Sequence, residues 1–165
     1  MMYYKKNWKK KNNIILLIIM GSTSSIFKQN YLYISYSSSC KENQYVSQFA
    51  EKLEEFNYNI INTKINDIFR DITTYQENID SIIKNSHYII VCISPQTISS
   101  VFQIIEMNKA WDNNKNIIYI MTDSNYTPET NSNLNRILKS HMWFPCYDEQ
   151  TLTETLNLFT MIISK

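Results

Sequence analysis

The chain predicts an α/β fold of the flavodoxin-like, three-layer kind, with a five-stranded parallel sheet and helices on both faces. Three observations lead there. Downstream of Asn30, short apolar runs alternate with amphipathic stretches, the pattern left by strands and helices taken in turn. The run Tyr88 to Ile93 is apolar on both parities, as a central parallel strand covered on both faces must be. The 165 residues suffice for one ordinary domain with a real core and are too few for two comfortable ones.

The first strand is read at Tyr31 to Ser35, and a helix follows in which Val46, Phe49, Ala50, Leu53 and Phe56 recur at helical spacing. Ser39 and Glu42 precede that stripe at the spacing of a capping box, which satisfies two orphaned backbone donors. Tyr58 to Ile61 makes a second strand. Thr74 and Glu77 repeat the box ahead of Ile79, Ile82 and Ile83, and the third strand, Tyr88 to Ile93, stops at Ser94 and Pro95. From Ser100 a helical wheel gathers Val101, Ile104, Ile105, Met107 and Trp111 on one side and Phe102, Glu106 and Ala110 on the other. On the residues alone, Glu106 reads as a solvated acid with Lys109 in reach for a surface ion pair. A fourth strand is read at Ile117 to Met121. Pro128 then opens a helix containing Leu134, Ile137 and Leu138, and a weaker strand lies at Met142 to Phe144. Thr151 and Glu154 form the last capping box, ahead of Leu156, Phe159 and Ile163.

Composition removes several function classes. Sixteen basic and fifteen acidic residues leave a net charge of +1, so no nucleic-acid surface is indicated. Cys40, Cys92 and Cys146 are odd in number and widely spaced, which points to reduced thiols and a cytoplasmic setting. His87 and His141 are too isolated to suggest a metal site. Residues 1–29 form a basic and hydrophobic N-terminal extension, expected to be flexible, and residues 30–165 form the domain. The seven apolar residues from Ile14 to Met20 fall far short of the roughly 20 that span a bilayer. A membrane partner is therefore not expected, although the basic and then apolar order leaves a cleaved signal or surface tether open.

The chain has one glycine, Gly21, so a phosphate-cradling glycine loop is absent, and a flavin-binding reading fails with it. A phosphoacceptor domain needs acids where this chain has Ser94 and the neutral run Ser35 to Ser39. Ser94 also lacks the glycines that flank a nucleophilic elbow.

Four segments, in order, resemble the boxes of the TIR (Toll/interleukin-1 receptor) domain family over Asn30 to Lys165. "YLYISYSSSC" resembles the first-strand box. "INDIFRDITTYQENIDSIIKNSHYIIVCISP" is similar to the acidic lead-in to the BB loop, the next helix and the third strand. "SSVFQIIEMNKA" resembles the family's Ser-x-Trp-Cys-x-x-Glu-Leu segment, with Ser100, Phe102, Gln103, Glu106 and Met107 in the places of Ser, Trp, Cys, Glu and Leu. "HMWFP" resembles the third box, with Trp143 and Phe144 as its aromatic pair.

The resemblance implies a signalling module that associates with other TIR domains and, in one branch of the family, cleaves the nicotinamide-ribose bond of NAD+. It makes Glu106 the candidate catalytic residue, because bond cleavage develops positive charge on the ribose that a nearby carboxylate stabilises. Phe102, Ser35, Tyr36, Asp67 and Arg70 are the candidate substrate-binding residues, and Asp67, Arg70 and Asp71 the candidate interface residues. NAD+ is expected as a substrate, with no tightly bound cofactor. A catalytically silent adaptor is the alternative. Two departures stand out: the BB loop, Thr63 to Thr74, has neither Gly nor Pro, and Ser37 and Ser38 stand where some NAD-cleaving members have basic residues, with Arg70 a candidate substitute.

Overall fold

The computed structural model describes residues 31–37, 44–61, 72–130 and 132–163. Among them, five parallel strands, β1 (Tyr31–Ser35), β2 (Asn59–Ile61), β3 (Tyr88–Ile93), β4 (Asn116–Met121) and β5 (Trp143–Pro145), lie in the order β2-β1-β3-β4-β5. Five helices accompany them: α1 (Gln44–Glu55), α2 (Ile72–Asn85), α3 (Val101–Asp112), α4 (Asn133–Ser140) and α5 (Glu149–Ile163). This is the expected flavodoxin-like arrangement, with β3 at the centre. The N-terminal extension and the predicted Ser39/Glu42 box lie outside the described residues.

Alternation along β1 shows how the sheet divides its core. Tyr31 and Tyr33 pack with Tyr75, Ile79 and Ile83 of α2, Met107 and Ala110 of α3 and Leu134 of α4. Leu32 and Ile34 point to the opposite layer, where Val46, Phe49 and Leu53 of α1 meet Leu152, Leu156 and Phe159 of α5. Successive strand residues face opposite sides, so one five-residue strand feeds both cores. Phe49 and Phe159 close the second core edge to face, with ring centroids 5.4 Å apart.

Asparagine ends two of the helices in this glycine-poor chain. Asn57 and Asn114 take φ of 64° and 50°. The next residue's N–H then reaches back to the helix, from Tyr58 to the Leu53 carbonyl at 3.1 Å and from Lys115 to that of Ala110 at 2.9 Å. This is the geometry of a Schellman stop, with asparagine in the position usually given to glycine.

Several expected boundaries move, each for a local reason. α2 begins at Ile72, so Thr74 lies inside the helix and is not its cap. α4 begins at Asn133 with Ser132 as its cap, accepting from the Asn135 N–H; Pro128 stays in the preceding loop. For α5, Asp148 accepts from the Thr151 N–H at 2.7 Å while Thr151 Oγ1 accepts from the Asp148 N–H at 3.1 Å. The reciprocal box is thus Asp148 with Thr151, three residues earlier than Thr151 with Glu154. Phe144 is buried whereas Trp143 is 43% exposed, so the paired aromatics at β5 divide between core and surface.

Candidate active site

Helix α3 is turned about its axis relative to the expectation from its hydropathy. Val101, Ile104 and Trp111 are exposed, whereas Gln103, Glu106, Met107 and Ala110 are buried. Those four residues themselves recur at helical spacing and form one stripe. The physical reason is hydrogen bonding at the sheet. Ser100 caps the helix by accepting from the Gln103 N–H, and the Gln103 side-chain nitrogen donates to the Cys92 carbonyl at 2.7 Å, with the Ser35 carbonyl 3.4 Å away. These carbonyls sit at the carboxyl ends of β3 and β1, the adjacent strands where the strand order reverses and where ligands of such sheets bind. Ser37 Oγ and Ser94 Oγ, 3.3 Å apart and buried, join the same two strand ends.

One turn beyond Gln103, Glu106 is 2% exposed. It is not a solvated acid, and Lys109 does not pair with it: the Lys109 ammonium lies 3.7 Å from Asp80, which Lys84 also holds at 2.5 Å. The Tyr75 hydroxyl donates to Glu106 Oε1. Burial raises the Glu106 carboxyl from 4.5 to about 7, opposed by the hydroxyls of Ser35, Tyr75 and Tyr33. Ser35 Oγ and Glu106 Oε2 are both buried and complete no hydrogen bond among the described residues. Ser35 therefore acts on the carboxylate as a nearby dipole, whereas Tyr75 is bonded to it.

Two aromatics complete the surroundings. Phe102, on the same side of α3 one turn before Glu106, is half-buried and meets the Tyr75 ring edge to face at 4.8 Å and 82°. Tyr36 is partly buried; its phenol is pushed up to about 12 by burial, then by Cys92 and by Glu106. The structure thus brings Glu106, Phe102, Ser35 and Tyr36 together. Asp67, Arg70 and Asp71 lie outside the described residues. Tyr75, Tyr33 and the bridging role of Gln103 were not picked out in the sequence. The spacing of Tyr75, Ile79, Ile82 and Ile83 in α2 is the signal that places Tyr75 on its inner face.

Chemically, the site offers a carboxylate that changes charge near neutrality, neutral hydroxyls beside it and an aromatic wall, at the ligand-binding end of a parallel sheet. An α/β domain carrying a buried, near-neutral acid at its strand-order reversal is the class that fold and site define. The sequence profile of the TIR domain matches residues 32–156, and the chain belongs to the TIR domain family.

Solved structures agree on the fold. The TIR domain of the Toll-related receptor TRR-2 from Hydra magnipapillata is 20% identical, with a TM-score of 0.59 over 80% of this chain and 97% of that one. The CMP N-glycosidase BcmB of Clostridium botulinum is 16% identical, with a TM-score of 0.57 over 79% and 99%. In the heterodimer of the RPS4 and RRS1 TIR domains the identity is 10% and the TM-score 0.54, over 82% and 96%. No curated protein matched the sequence. No described helix is long and apolar enough to cross a membrane.

Proposed function

We propose that this TIR domain acts in immune or stress-type signalling, self-associates, and cleaves NAD+ at the nicotinamide-ribose bond with Glu106 as the catalytic carboxylate. The observation that carries this reading is the environment of Glu106: buried, raised to about 7, and flanked by aromatic side chains at the end of β1. Perturbed acids of this kind cluster at functional sites. In the reaction the C–N bond breaks and its electron pair leaves on the nicotinamide nitrogen, which becomes neutral. The ribosyl group left behind carries positive charge until water adds to C1′ and releases a proton. An ionised Glu106 would stabilise that charge in the transition state, from a buried position where such an interaction is weakly screened. Phe102 would stack nicotinamide, and Ser35 and Tyr36 would line the ribose side.

Two neighbours support the reading without deciding it. The CMP N-glycosidase BcmB has a similar fold, and its name denotes a nucleotide N-glycosidic bond as the bond cleaved. The RPS4 and RRS1 TIR domains are paired as a heterodimer, the type of contact proposed here between copies of this chain, with Asp67, Arg70 and Asp71 as the loop residues that would take part. The cytoplasm is the setting proposed.

The deciding experiment incubates the purified chain with NAD+ at high protein concentration and follows nicotinamide release beside Glu106→Gln. Release by the wild type, slowed on the order of a hundredfold or more in Glu106→Gln, is the expected result. Equal rates would remove Glu106 from the mechanism. Self-association without any release would make the chain a silent adaptor.

A further inference from the structure

Tyr75 touches both side chains assigned to the reaction, from a different helix. Its side chain is wholly buried among apolar neighbours that include Ile79 and Ile83. Its ring is met by Phe102, and its hydroxyl donates to Glu106 Oε1. A phenylalanine would supply the same ring and the same packing, and burying a hydroxyl in such surroundings is costly unless it is bonded. The hydroxyl is therefore accounted for by Glu106. With Oε1 held from α2, Oε2 is the carboxylate oxygen that makes no hydrogen bond among the described residues.

We propose that Tyr75 is a positioning residue for Glu106: its hydroxyl fixes one carboxylate oxygen and favours the ionised form, while the other oxygen stays buried with no hydrogen bond among the described residues. The assignment to catalysis rests on the function proposed above, whereas the contact between the two side chains does not. Among the described residues, the other groups acting on Glu106 are the hydroxyls of Tyr33 and Ser35 from β1, and Tyr36 just after that strand feels its charge in return. Gln103, on α3 itself, bonds to the strand ends. Removing the Tyr75 hydroxyl takes away a donor to the charged form, so Glu106 should ionise at higher pH.

The test uses the full chain labelled with 13C at the glutamate carboxyl, with the Glu106 resonance identified by its loss in Glu106→Gln. In Tyr75→Phe the titration midpoint of that resonance should move upward by about one pH unit. Replacing Tyr75 with difluorotyrosine, a stronger donor of nearly the same shape, should move it downward and covers the case in which Tyr75→Phe folds poorly. A midpoint unmoved by either substitution overturns the proposal. Where the chain releases nicotinamide, the acid limb of its rate profile should shift with the resonance, a response that loss of packing alone would not give; a rate limb that stays in place while the resonance moves removes the role in catalysis. Where no nicotinamide is released, the proposed activity fails, and the resonance still decides whether Tyr75 controls Glu106.

Discussion

The side-chain nitrogen of Gln103 lies 2.7 Å from the carbonyl oxygen of Cys92 and donates to it, inside a side chain that is 0% exposed. The same nitrogen is 3.4 Å from the Ser35 carbonyl. One amide therefore fastens α3 to two strand ends and sets the depth at which Glu106, one turn further on, meets the sheet.

Gln103→Ala should accordingly cost about 1–3 kcal/mol of stability, because buried carbonyls lose a donor and the helix loses its anchor. Urea denaturation gives the value directly. A loss below about 0.5 kcal/mol would mean that α3 is held by its apolar contacts alone.

Glu106→Gln should change the pH dependence of stability as well as the rate. Folding raises the Glu106 carboxyl from 4.5 to about 7, so the folded chain binds a proton that the unfolded chain has already released between those values. The resulting contribution is full below pH 4.5 and is lost as pH rises through about 7, on the order of 3 kcal/mol in all. The glutamine variant does not titrate there and should gain on the wild type between pH 5 and pH 8 in thermal melts. Parallel melting curves across that range would contradict the buried placement of the acid.

The same titration sets a direction for activity. Under the proposed NAD+ cleavage only the ionised carboxylate would oppose the ribosyl charge, so nicotinamide release should rise with pH through about 7 and then level off. A rate that falls over that interval would assign Glu106 the role of a proton donor.

Ile90→Asp should unfold the domain. Ile90 is 0% exposed on β3, paired with Ile34 of β1 and Ile118 of β4, and a charge there would have no partner. Loss of dispersed amide resonances at every pH where the aspartate is ionised is the expected readout; a native spectrum would refute the central position of the strand.

Lys109→Ala should shift stability by at most a few tenths of a kcal/mol, because its partner Asp80 is also held by Lys84 and both partners of the pair are partly solvated. Nicotinamide release should be unaffected. A large drop in rate would reconnect Lys109 to Glu106.

Periodicity made the sheet legible because its strands are apolar for reasons local to each. The bounds of β1 and β3 follow directly from Tyr31 to Ser35 and from Tyr88 to Ile93, where nothing but a doubly covered strand accounts for the run. The orientation of α3 was not legible in the same way. A hydropathy wheel turns Val101, Ile104 and Trp111 inward, but the interior at that place presents the carbonyls of Ser35 and Cys92 and the hydroxyl of Tyr75, which an amide and a carboxylate satisfy and an isoleucine does not. Polar complementarity across 68 residues of sequence, as between Gln103 and Ser35, leaves no trace in a local period. Tyr75 is illegible for the opposite reason: its ring fits the apolar stripe of α2, and nothing local in the sequence marks its hydroxyl as the partner of Glu106.

The asparagines that end α1 and α3 leave room for engineering. Glycine adopts the left-handed backbone without the steric cost that any L-residue bears there, and asparagine only partly escapes that cost. Asn57 and Asn114, at φ of 64° and 50°, are thus two places where glycine would relieve steric strain in the native state, at the cost of a more mobile unfolded chain, while leaving both hydrophobic layers and the acid at position 106 untouched. A domain with such reserves outside its chemistry can lose stability to substitutions around Glu106 and recover it elsewhere, which separates the search for altered activity from the search for a chain that still folds.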